Sequence, residues 1–85
     1  MEIVFHKQFL KRFRKVPVKI QEQFYSRLTI FEKDKTSPIL NNHSVNKAFP
    51  SCRSINITGD YRAIYYSDGP TVVFLTLGTH SELYR

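Results

Sequence analysis

The chain has 85 residues, enough for one domain with one core and too short for a second. Lysine and arginine number 13 against 7 aspartates and glutamates; the net charge of +6 points to an anionic partner such as nucleic acid, an anionic membrane or an acidic protein. One cysteine, Cys52, excludes an internal disulfide and a thiolate metal cluster, and no stretch approaches the ~20 apolar residues of a membrane span.

From the N-terminus, Ile3 to Phe5 is short, apolar and β-prone, and reads as a first strand. The segment from His6 to Lys15 sets Phe9, Leu10 and Phe13 at helical spacing among Lys7, Lys11, Arg12, Arg14 and Lys15, which predicts a basic amphipathic helix. Val16-Pro17 breaks it. Ile20, Phe24, Leu28 and Phe31 then recur at steps of four, four and three, the buried stripe of a second helix running to about Lys33. Residues 34–52 keep no period and carry two prolines and three asparagines; they read as a long loop with at most a turn of helix, pinned by Leu40, Val45 and Phe49.

After the loop the period becomes two. RSINIT, YRAIYY and TVVFLTL read as three strands joined by turns at GD and SDGP, with His80 following a glycine turn at Gly78. The order β-α-α-β-β-β predicts an α+β fold over residues 1–85, a helical hairpin packed on one face of an antiparallel sheet. The opposite face is left for solvent or for function. The absence of a leader-like apolar stretch and the lone cysteine place the chain in the cytoplasm.

The residues that carry chemistry lie in the second half: His43, Arg53, Asp60, Tyr61, Arg62, His80 and Tyr84. The three histidines lack regular metal-ligand spacing, the three glycines form no phosphate-cradling loop, and no cofactor is expected. Arg62 sits between apolar neighbours inside a strand, where an unpaired buried charge is very costly, so it must meet water, a partner or an anion. Arginine matches phosphate with a fixed fork of donors, histidine moves protons near neutral pH, and tyrosine stacks on bases. Each also has an ordinary fate: Arg62 in an ion pair with Asp60 or Asp68, His80 as a surface histidine, Tyr84 as an anchor for the chain end. On an ideal strand Tyr61 and Arg62 point to opposite faces, and Arg62, deeper in the strand, is the better placed for a site.

The stretch HSVNKAFPSCRSINITGDYRAIYY followed by VVFLTLGTHSELY resembles the RelE/ParE superfamily of bacterial toxins, and most of all its YafQ-type branch. The features that match are a loop histidine (His43), an arginine ten residues on (Arg53), Asp60-Tyr61 opening a strand, Tyr65 near its end, and the terminal GTHSELY. The shape of the N-terminal half agrees, so the resemblance covers the whole chain, with its specific part at residues 43–84. It implies a toxin of a toxin–antitoxin pair: an mRNA endoribonuclease that enters the ribosomal A site, cleaves the mRNA there without a metal and so inhibits translation. The partners it implies are a cognate antitoxin, the ribosome with its RNA, and mRNA, with no membrane. By position His80 is the general acid and Asp60 or His43 the base; Arg53 and Arg62 hold the phosphate, and Tyr61 and Tyr84 position bases.

Three positions depart from the pattern. YafQ-type relatives carry a histidine, and RelE a lysine, where this chain has Asn56; they carry an arginine four residues before the terminal histidine, where this chain has Thr76; and Lys47 stands where glycine is usual. Asn56 cannot shuttle a proton and Thr76 brings no charge. Losing one transition-state donor costs about 100- to 1,000-fold, so the activity is expected to be reduced, with Arg62 or Lys47 supplying the missing charge. Two other readings stay open: an inactive relative that binds only antitoxin or RNA, and a ParE-like gyrase poison, for which the His80 ending has no obvious use.

Overall fold

The computed structural model describes residues 1–84. Strand β1 (Glu2–Phe5) runs into helix α1 (Lys7–Phe13), followed by α2 (Val18–Lys33), a one-turn 3-10 helix (Pro38–Leu40), a two-residue strand β2 (His43–Ser44), β3 (Arg53–Asn56), β4 (Tyr61–Asp68), β5 (Thr71–Thr79) and a short helix α3 (His80–Leu83). The five strands form one sheet in the order β1-β5-β4-β3-β2. The expected α+β layout of a helical hairpin over an antiparallel meander is present. The expected first strand, β1, joins the sheet by pairing parallel with β5, so the sheet is mixed and not wholly antiparallel, and the structure adds β2, which pairs antiparallel with β3 inside the predicted loop. It also adds α3.

Local chemistry accounts for the boundaries. The His6 ring accepts the Gln8 N–H at 3.0 Å and caps the start of α1. Helix α1 ends at Phe13, just ahead of the Val16-Pro17 break, and the Gln21 side chain donates to the Phe13 carbonyl at 2.8 Å and so satisfies an acceptor that a helix end leaves unpaired. On α2 the predicted stripe faces the sheet, with Phe24 and Phe31 buried and Ile20 and Leu28 packed against them.

Helices and sheet enclose an aromatic core. Phe74 of β5 lies at its centre, with the rings of Phe5, Phe9, Phe24, Phe31 and Tyr65 between 5.5 and 5.9 Å away. A bulge on β5 makes this possible. Tyr65 pairs with Phe74 and Ile64 with Thr76, which leaves Leu75 as the extra residue. The bulge resets the alternation, so Phe74 and Leu77 both join the helix-side core although three residues apart.

The sheet's other face is partly covered. Val45, Cys52, Ile64 and Leu83 form a second small cluster, with Phe49, Tyr66, Leu75 and Tyr84 packed on it. The predicted loop and α3 thus make a partial second layer. Within that loop Ser51 holds a left-handed backbone (φ 63°), and Asn46 Oδ1 accepts its N–H at 2.6 Å. Burial pushes the Cys52 thiol pKa above its ordinary 9.0, so this cysteine is an inert packing residue.

Phe74→Ala would remove the ring on which both helices converge. A loss of about 3–5 kcal/mol is expected in urea unfolding, a large part of the total stability of a small domain. A loss under about 1 kcal/mol would contradict this packing.

Candidate functional site

Strand β4 sorts its side chains by parity. Tyr61, Ala63 and Tyr65 pack toward the helices, while Ile64 and Tyr66 join the second cluster. Arg62 shares the second face, at the end the second layer leaves open. Its Nη1 donates to the Gly59 carbonyl at 2.9 Å. Around it is an open cleft of about 320 Å³ lined by Asn41, His43, Ser44, Val45, Arg62, His80 and Tyr84.

The two imidazoles in the cleft are held differently, His43 through a ring nitrogen and His80 through its backbone and a ring contact. Asn41 caps the 3-10 turn in the left-handed conformation (φ 46°, ψ 48°), and its carbonyl lies 2.7 Å from His43 Nδ1. A carbonyl only accepts, so Nδ1 of neutral His43 carries the proton and Nε2 keeps its lone pair. His80 is the first residue of α3. Its backbone N–H donates to the Asp60 carbonyl at 3.1 Å, and its ring lies 4.7 Å from that of Tyr84. Tyr84 in turn meets Phe49 at 6.1 Å. Among the described residues, no carboxylate lines the cleft, and Arg62 brings it a permanent positive charge. Such a lining favours an anion with a flat group beside it. Among the described residues, no three His, Cys, Asp or Glu side chains are grouped to hold a metal ion, and no helix is long and apolar enough to cross a membrane.

The residues singled out in the sequence divide by place. The cleft gathers His43, Arg62, His80 and Tyr84. Lys47 lines an adjoining groove of about 300 Å³ that shares Ser44, Val45 and Tyr84 with it. Asp60 contributes its backbone carbonyl, while its exposed carboxylate is not part of the lining. Tyr61 packs on the helix-side core and lines a different cleft, with Arg12, Lys15 and Glu82. Arg53 is also away from the cleft. It has the parity of Ile55 and Ile57 and lies opposite Tyr65. Its Nε donates to Asn42 Oδ1 at 2.8 Å, and Asn42 Nδ2 donates to the Tyr65 hydroxyl at 2.8 Å, an arrangement that ties β3, β4 and the loop together.

Asn56 lies opposite Arg62 and Thr76 opposite Ile64. The Asn56 Oδ1, Thr76 Oγ1 and Ser54 Oγ atoms are buried without a hydrogen-bond partner. These two departures therefore supply no charge and leave polar atoms unused. Sequence reasoning missed Asn41, whose role depends on backbone conformation. It also missed Glu82, although Thr79-x-x-Glu82 is a capping-box signature.

No protein-family model matches the chain, and no curated protein is significantly similar to it. Solved structures are. A copper-bound mutant toxin from Helicobacter pylori is 24% identical with a TM-score of 0.75, covering 99% of both chains. YafQ from E. coli is 18% identical with a TM-score of 0.73, covering 99% of this chain and 98% of that one. In the RelB–RelE antitoxin–toxin complex from Methanococcus jannaschii the matched chain is 20% identical with a TM-score of 0.75, covering 95% of this chain and 94% of the other. The chain therefore has the fold of the RelE- and YafQ-type toxins.

Thr76→Val keeps the shape of a 1% exposed side chain and removes a hydroxyl that has no partner. A gain of roughly 1 kcal/mol in unfolding free energy is expected, because the unmet desolvation cost disappears. A loss of that size would show the hydroxyl to be bonded.

Proposed function

We propose that this protein is the toxin of a toxin–antitoxin pair and acts as a ribosome-dependent mRNA endoribonuclease. The observation that carries the reading is the joining of two imidazoles and one guanidinium in one open cleft, on a RelE-type fold. The resemblance of GTHSELY to the YafQ-type ending supports it, and the antitoxin in the RelB–RelE neighbour supports a protein partner that silences the chain.

In this reading a ribose 2′-OH attacks the adjacent phosphorus. His43 Nε2 takes its proton, since Nδ1 is committed to Asn41. Arg62 neutralises the charge that builds on the non-bridging oxygens. The P–O5′ bond breaks as protonated His80 gives its proton to the leaving oxygen. The products are a 2′,3′-cyclic phosphate and a 5′-hydroxyl, which balances bonds and protons. Tyr84 offers a face for a base, and Lys47 in the adjoining groove meets a flanking phosphate. Asp60 acts through its carbonyl on the His80 backbone, so His43 is favoured over Asp60 as the base.

A second reading, an antitoxin-binding relative with little catalysis, is favoured by one observation: Asn56 and Thr76 bring neither charge nor a bonded polar atom to the site.

Induction in a bacterial host is expected to stop translation before DNA replication and to leave codon-positioned cuts in primer extension. His80→Ala and His43→Ala should each lower the cleavage rate by about 100- to 10,000-fold while folding and antitoxin binding persist. Equal toxicity of His80→Ala would overturn the assignment, and replication stopping first would favour a gyrase poison. A silent wild type that still binds antitoxin would favour the second reading.

A further inference from the structure

Helix α3 has four residues, far too few to persist on its own propensity. Its C-terminal end is anchored by buried Leu83 in the second cluster. Its first turn, which carries His80, is held differently. Glu82 Oε1 accepts the Thr79 N–H at 2.8 Å, and Thr79 Oγ1 accepts the Glu82 N–H at 3.2 Å. This reciprocal capping box closes around His80. Arg12 of α1 reaches the same Glu82 Oε1, with Nη2 3.8 Å away. Gly78 makes the approach possible: a Cβ there would stand 2.8 Å from Arg12 Nη2 and 3.1 Å from Glu82 Oε1. Its backbone does not occupy the left-handed region, so space and not conformation calls for glycine.

We infer that Glu82, backed by Arg12 across Gly78, is a positioning residue that sets the His80 imidazole against Tyr84 at the mouth of the cleft. Its consequence for cleavage rests on the nuclease reading above; its consequence for the ring does not. The ion pair is half-exposed and adds little by itself. The leverage lies in the box, because the backbone of residues 79–82 determines where the His80 side chain departs. Loosening it misplaces a proton donor without touching Arg62 or His43. The effect belongs in kcat and not in KM.

Three variants separate the parts. Gly78→Ala forces the tips of two flexible side chains apart and leaves the backbone unstrained. Glu82→Ala removes the box. Glu82→Gln keeps a box acceptor, since glutamine serves at that position, and discards the charge. The first readout is the imidazole carbon–proton spectrum of His80, whose resonances are expected to be displaced by the ring current of Tyr84, 4.7 Å away. Glu82→Ala and Gly78→Ala should move these signals toward those of a free histidine and leave the His43 signals in place; Glu82→Gln should stay near wild type. The second readout is cleavage of ribosome-bound mRNA. There the first two variants should lose about 10- to 100-fold in kcat with KM within about twofold, and Glu82→Gln should recover most of it. Unmoved His80 resonances in both Gly78→Ala and Glu82→Ala overturn the inference, as does failure of Glu82→Gln to recover. If Glu82→Ala does not fold, Gly78→Ala and Glu82→Gln decide alone. If the resonances move but the wild type cuts no RNA, the nuclease reading fails and the positioning role stands.

Discussion

Strand β4 has to serve two different faces at once, and the rest of the structure follows from that. Its alternation sends Tyr61, Ala63 and Tyr65 into the aromatic core and turns Arg62, Ile64 and Tyr66 the other way. A guanidinium cannot be buried without partners at tolerable cost. The second face therefore cannot be covered along its full length. The loop at residues 45–52 and helix α3 close over Ile64 and stop short of Arg62. The cleft is the place where the second layer ends, and the backbone segments that end there bring His43 and His80 to its rim.

Much of this was legible in the sequence because it depends on local period. The stripe on α2 and the alternation of the meander each reflect a repeating geometry, 3.6 or 2, imposed on one face. What was not legible depends on distant partners. β1 pairs with β5, with Glu2 opposite Thr71, and nothing near either residue announces it. Strand β2 is two residues long and exists only through its pairing with β3. The Leu75 bulge is a property of two strands together. Helix α3 is a different case. The Thr79-x-x-Glu82 signature is present, but Gly78 reads as a turn residue, whereas it lies inside β5 at a place where Arg12 and Glu82 take the space a Cβ would fill.

The same division holds at the site. His43, Arg62, His80 and Tyr84 share one cleft, whereas Arg53 and Tyr61 face the helix side. Parity explains Arg53: it alternates in step with Ile55 and Ile57, and once those two form the core its side chain cannot reach the opposite face. In its place the structure has Asn41 and Glu82, residues that act on the histidines through backbone carbonyl and capping box. Asn56 and Thr76 contribute no charge, so among the described residues lining the cleft the permanent positive charge comes from Arg62, and the proposed reaction rests correspondingly more on the placement of the two imidazoles.

The central claim is that this cleft breaks RNA by 2′-OH attack between His43 and His80. The most direct measurement is of the ends it leaves on a ribosome-bound message, with EDTA present and with a matched message carrying 2′-deoxyribose at the cut nucleotide. The account predicts a 2′,3′-cyclic phosphate, a 5′-hydroxyl, and no cleavage of the deoxy-substituted message. A 5′-phosphate end, or equal cleavage of the deoxy-substituted message, would contradict it.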